Sequence, residues 1–218
     1  LGRRLLEALA AIEPDINEHQ RSYLRSGLKN SFRAGLHIHK KYRSVQQLIP
    51  FEDYYTIRSA QSAWGYFIAL AEYSVEYSIP QTLRFNEYVL RFYETSVRLG
   101  LAVEDYFTAR SKLATNDPTN GVLSYAHTNR CSVQSALDYY RRCIDELDTE
   151  CKSLVSAIRA DPELCTKGLD NYIGCVVDTP AMFQQLSGHL FDFHYKDGYI
   201  YSPVWERLNE SVVKNYHV

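Results

Sequence analysis

Residues 82–113 read TLRFNEYVLRFYETSVRLGLAVEDYFTARSKL. Leu83, Phe85, Leu90, Phe92, Val97, Leu101 and Phe107 recur at helical spacing between charged residues, with Gly100 as an internal weak point or bend. This stretch predicts one long amphipathic helix. Upstream, Phe51 to Tyr77 carries Tyr55, Ile57, Trp64, Phe67, Ile68 and Leu70 between Pro50 and Pro80, and predicts a second long helix. Asp15 to about Arg43 predicts a third, with Lys40, Lys41 and Arg43 as a solvated basic end suited to the negative pole of the helix. A short helix over residues 1–12 precedes it, and Pro14 stands where a following helix can start.

Downstream, Thr115-Asn-Asp-Pro-Thr-Asn-Gly121 is a chain of turn formers and the clearest loop. A short helix over Val122 to His127 follows. Ser132 is a good N-cap for a long helix to about Ala160, with Val133, Ala136, Leu137, Tyr140, Ile144, Leu147, Leu154 and Ile158 on its buried stripe. Pro162 is placed in the first turn of a last helix, Leu164 to about Phe191, bent near Pro180. No repeat, low-complexity tract or linker divides the chain. The expectation is one all-α domain, 1–218, of about seven helices.

Composition agrees. Of 218 residues, 45% are hydrophobic and 23% charged, which belongs to folded chains rather than disordered ones. With 10 Gly and 7 Pro, turn punctuation is too sparse for an all-β sandwich. A net charge of −2 gives no general electrostatic case for nucleic acid or an anionic membrane surface. No apolar run reaches the roughly 18 residues of a membrane span. Cys131, Cys143, Cys151, Cys165 and Cys175 form no C-x-x-C pair and follow no secretory leader, so reduced cysteines in a cytoplasmic protein are expected. The 18 Tyr, 9 Phe and 2 Trp supply π faces for a core or for a pocket that handles cations.

Common catalytic motifs are missing: no Gly-rich phosphate loop, no G-x-S-x-G and no H-E-x-x-H. His37 and His39, two residues apart, point to opposite sides of a helix. Asp145, Asp148 and Glu150, or Glu163 and Asp170, read as solvated faces. One set stands out. Arg58, in Tyr54-Tyr55-Thr56-Ile57-Arg58, precedes Glu104 by 46 residues, and Glu104, Thr108 and Lys112 follow at i, i+4 and i+8 on one helical face beside Asp105. Such a row can offer oxygens to one ion.

This set resembles the class I terpene synthases, in particular the fungal and bacterial sesquiterpene cyclases. Their pyrophosphate-sensing arginine precedes the second metal motif, Asn-Asp-x-x-Ser-x-x-x-Glu, by about this interval. Here the window is Glu104-Asp-Tyr-Phe-Thr108-Ala-Arg-Ser-Lys112. Asn116-Asp-Pro-Thr-Asn-Gly-Val-Leu-Ser124 is similar to the loop and "Asn-Leu-Val" helix start that follow it, and Cys131-Ser-Val-Gln-Ser-Ala-Leu-Asp138 to the family's "Cys-Ser-x-Gln-Glu-Ala" helix. The resemblance covers about residues 45–196. It implies a partial helical bundle lacking the family's N-terminal helices, because nothing like Asp-Asp-x-x-Asp occurs among the 57 residues before Arg58; Asp15 and Glu18 do not form one.

The resemblance further implies Mg²⁺, a prenyl diphosphate or terpenoid substrate, and carbocation chemistry in an aromatic-walled cavity. Arg58, Lys112 and Tyr195 would be catalytic. Arg58, Trp64, Phe67, Phe92, Tyr93, His194 and Tyr195 would bind substrate, and Glu104, Asp105 and Thr108 would bind metal. Two departures bear on this. The family's glutamate is Lys112, an ammonium where a hard cation belongs, and its late Arg-Tyr pair falls near His194-Tyr195, a titratable cation in place of a fixed one. An altered enzyme would use Lys112 and Arg58 as fixed charges. The other readings are a non-catalytic module for a prenyl-like ligand or protein partner, and a helical interaction domain with Tyr-rich packing only. A homodimer stays open.

Overall fold

The computed structural model describes residues 7, 10–62 and 64–179. Helix α1 spans Glu18–Lys41, α2 Phe51–Gln61, α3 Trp64–Ser74, the short α4 Gln81–Arg84, α5 Glu87–Ala114, α6 Gly121–Asn129 and α7 Val133–Ala160. A further helix, α8, occupies 167–179. No strand occurs among the described residues, as the sequence predicts.

Caps explain most boundaries. Asn17 opens α1 with a reciprocal capping box to Gln20, its side chain accepting from the Gln20 N–H at 2.9 Å. Ser132 caps α7 through the Ser135 N–H at 3.0 Å. Two boundaries differ from expectation. The helix predicted over 51–77 is broken after Gln61, and the Ser62 hydroxyl accepts the Trp64 N–H at 3.3 Å as the chain restarts. The helix predicted from Thr82 is divided by Asn86, whose side chain takes the Tyr88 N–H at 2.9 Å and starts α5. Pro162 lies in a turn, not in the first turn of α8. There the Thr166 hydroxyl accepts the Leu169 N–H at 3.2 Å, and the predicted end at Phe191 lies outside the described residues.

Helix α5 is the centre of the packing, touching α2, α3, α6 and, most extensively, α7. Its 28 residues run as one helix through Gly100, which is not a break. The glycine serves a close approach instead: a Cβ there would stand 2.9 Å from the Trp64 ring of α3. The main core joins Trp64, Ile68, Phe92 and Leu101 to Ile158 and Ile173. A second one sits where α5, α6 and α7 meet, around Ala109, Leu113, Val122 and Ala136. Burying such side chains contributes roughly 1.5–3 kcal/mol each, so α5 is anchored along its whole length. No helix among the described residues is long and apolar enough to cross a membrane.

Candidate active site

On α2, Tyr54, Arg58 and Gln61 fall at i, i+4 and i+7, so they share the face turned to α5. Arg58 is 3% exposed. Its guanidinium donates to the Glu104 carboxylate on α5 and to the Gln61 side chain at the break between α2 and α3, while its Nε is buried with no partner among the described residues. Burial works against its charge. The Tyr54 phenol and the Glu104 and Asp105 carboxylates outweigh that and hold the pKa above the ordinary arginine range. The second oxygen of Glu104 accepts the Trp64 indole N–H at 3.3 Å. Arg58, Glu104 and Trp64 therefore form one cluster, bringing together three sequence-predicted residues from three helices.

Asp105 does not join the row. It is 1% exposed and turned toward Tyr54, whose hydroxyl donates to its two oxygens at 2.8 and 2.7 Å. Burial pushes its carboxyl up to about 7, although Arg58, the Tyr54 hydroxyl and the Gly121 N–H pull the other way. Gly121 opens α6 against this group. A Cβ there would overlap the Tyr140 hydroxyl and stand 2.7 Å from the Tyr54 ring and 2.9 Å from Asp105 Oδ2. Asn120 caps α6 through the Leu123 N–H and donates its amide to the Asp105 carbonyl at 2.8 Å and to Thr108 Oγ1 at 3.3 Å. The sequence reading missed Tyr54, Gln61, Asn120, Gly121 and Tyr140. Tyr54 was traceable, because it stands one helical turn before Arg58.

Farther along α5, the Lys112 ammonium donates to Asp117 Oδ2 at 3.0 Å and to Thr119 Oγ1 at 3.1 Å. Both Asp117 oxygens also accept from the Arg43 guanidinium at 2.9 Å. Arg43 is thus a tie between the end of α1 and the α5–α6 loop, not part of a solvated basic terminus.

The row does not fit a divalent cation. Both Glu104 oxygens already accept N–H groups, the Thr108 hydroxyl donates to the Glu104 carbonyl at 2.8 Å, Asp105 faces elsewhere, and Lys112 brings a positive charge one turn on. Among the described residues no group of three or more His, Cys, Asp or Glu is placed to hold a metal ion.

The expected contour residues separate. Phe92 is 1% exposed inside the main core, so it packs rather than lines a cavity. Phe67 is 54% exposed, with its ring edge against Trp64 and Tyr66. Tyr93 lines a cavity with Tyr23, Tyr55 and Tyr66. His194 and Tyr195 lie outside the described residues.

A helical bundle in which a long central helix carries a polar row facing a buried arginine on a broken neighbour is the fold of the class I terpene synthases. The chain belongs to terpene synthase family 2: the model of that family's C-terminal metal-binding region matches residues 1–148. Among solved structures it is similar to the linalool/nerolidol synthase from Streptomyces clavuligerus, with a TM-score of 0.71 and 14% identity, covering 79% of this chain and 60% of that one. It is also similar to a variant of cucumene synthase, with a TM-score of 0.62 and 11% identity, covering 80% of this chain and 57% of that one. The chain thus spans less than two thirds of either structure. No curated protein matches it.

Proposed function

We propose that the chain is a terpene cyclase-like enzyme acting on a prenyl diphosphate or a terpenoid intermediate through carbocation chemistry, in the cytoplasm, with atypical metal dependence. Family membership supports the reaction class. The observation that carries the reading is the buried Arg58 guanidinium, its Nε without a partner among the described residues, at the end of the α5 row. In this reading a substrate diphosphate replaces Glu104 as the partner of Arg58. The allylic C–O bond then breaks, its electron pair leaving on the diphosphate oxygen and its positive charge on the hydrocarbon. A preorganised guanidinium stabilises that developing negative charge. Lys112, two turns or about 12 Å along α5, is a second fixed charge. Trp64 flanks the cluster through its indole N–H to Glu104 and is proposed, with His194 and Tyr195, to contact the substrate.

A second reading has its own observation. Arg58 and Lys112 each carry an internal carboxylate, Glu104 and Asp117, as in a module that binds a prenyl-like ligand or a partner without turnover. Incubation with geranyl, farnesyl and geranylgeranyl diphosphate separates the two, with Mg²⁺ or with EDTA, followed by gas chromatography of the extract and assay of released pyrophosphate. The cyclase reading expects a hydrocarbon or terpene alcohol in both conditions. Product with Mg²⁺ alone would remove the atypical metal dependence, and no pyrophosphate release in any condition would remove the reading of a cyclase acting on a prenyl diphosphate.

A further inference from the structure

Four helices each send one tyrosine to a cavity that Arg58 does not line: Tyr23 from α1, Tyr55 from α2, Tyr66 from α3 and Tyr93 from α5. The cavity measures about 350 Å³, within the range of small-molecule sites. Among the described residues its one charged lining group is the Glu94 carboxylate, which has no ion-pair partner among them, and neither lysine nor arginine of the described residues lines it. Among the described residues its aliphatic surface is limited to Ala60 and Val97.

We infer that this cavity is a binding site for an organic ammonium ion. Aromatic faces attract cations through the negative potential above the ring, and a carboxylate at the same cavity adds a Coulomb partner. The rings already behave this way toward the chain's own cations. The Arg84 guanidinium stands 5.0 Å from the centre of the Tyr23 ring and that of Arg98 5.4 Å from the centre of Tyr55. Burial first, then the Tyr23 and Tyr55 phenols, hold the Tyr93 phenol well above its ordinary range, so it stays a neutral hydroxyl and a hydrogen-bond donor. The same lining disfavours the alternatives. A diphosphate would meet the Glu94 carboxylate with neither lysine nor arginine among the described lining residues, and a long prenyl chain would find few aliphatic partners there. The site is independent of the reaction proposed for the Arg58 cluster.

Calorimetric titration with choline and with its neutral isostere 3,3-dimethylbutan-1-ol tests the assignment. Choline is expected to bind about tenfold more tightly than the alcohol, the difference coming from its charge. Glu94→Gln and Tyr55→Leu, both at exposed positions, should each weaken choline about fivefold or more, while Tyr55→Phe, which keeps the π face, should leave it within about twofold. Far-UV circular dichroism identifies any variant that fails to fold. The assignment is overturned by equal affinity for the alcohol, by choline affinity unchanged in both Glu94→Gln and Tyr55→Leu, or by no saturable binding of choline to the wild-type chain.

Discussion

Arg58 on α2 and Glu104 on α5, 46 residues apart, neutralise each other in a cluster where only 4% and 21% of their side chains meet solvent. Any anion that uses Arg58 must therefore displace Glu104. Glu104→Gln keeps the shape and removes the competing charge, so inorganic pyrophosphate should bind metal-free about tenfold more tightly than to the wild type. The same change leaves a buried guanidinium without its counter-ion, and stability should fall by about 3 kcal/mol. Calorimetry and urea denaturation read the two effects. Unchanged pyrophosphate affinity in a folded variant would show that the anion does not reach Arg58.

Gly121 is the tightest point beside the buried Tyr54–Asp105 pair. Gly121→Ala must push aside the Tyr140 hydroxyl, and overpacking of this kind costs about 1–3 kcal/mol. Tyr140→Phe removes the atom in closest conflict, so the double variant should recover at least about half of the loss, a coupling that a two-by-two set of unfolding curves measures. Strict additivity would mean that the conflict lies with the Tyr54 ring or Asp105 instead.

Helical periodicity made α5 and α7 legible, because each buries a continuous apolar stripe; α1 keeps the helical spacing but buries only Leu24 and Ile38, leaving Phe32 and Leu36 exposed. The spacing of Arg58 and Glu104 was legible too, since it is a property of the chain. Partnership was not. Nothing local in 104–112 says that Glu104 is occupied by Arg58 and Trp64, or that Asp105 turns to Tyr54, because those contacts join residues 40 to 51 positions apart. The breaks at Ser62 and Asn86 escaped a reading built on apolar spacing because each depends on a single side chain accepting a backbone N–H two residues on.

Lys112→Glu places the family's residue on α5 but next to Asp117, exchanging an attraction at 3.0 Å for a repulsion. Stability should drop by about 1–2 kcal/mol, since the pair is half-buried. Metal binding should not appear, because Glu104 stays with Arg58. Adding Glu104→Asn and Thr108→Ser completes an oxygen donor row, and Mn²⁺ in the presence of pyrophosphate should then give a bound signal in paramagnetic resonance that the wild type lacks. A bound signal in the wild type that is lost in Glu104→Gln would place a metal on the native row after all.

Asp117 supplies the pH dependence. Burial pushes its carboxyl up, but hydrogen bonds from Thr119, Arg43 and Lys112 outweigh burial and hold it well below the ordinary value of 3.8. For a carboxyl depressed in the folded state, the unfolded chain binds more protons as the pH falls below that value, so its stabilisation is complete above it and lost on acidification. Asp117→Asn cannot ionise. The stability gap between wild type and Asp117→Asn should be about 1–2 kcal/mol at pH 7, hold at pH 5 and narrow at pH 3, as measured by urea unfolding at the three values. Raising the salt should shrink the part owed to Arg43, whose side chain is 49% exposed, more than the part owed to Lys112, at 24%. A gap that stayed constant from pH 7 to pH 3 would mean that Asp117 holds the α5–α6 loop by shape and neutral hydrogen bonds rather than by charge.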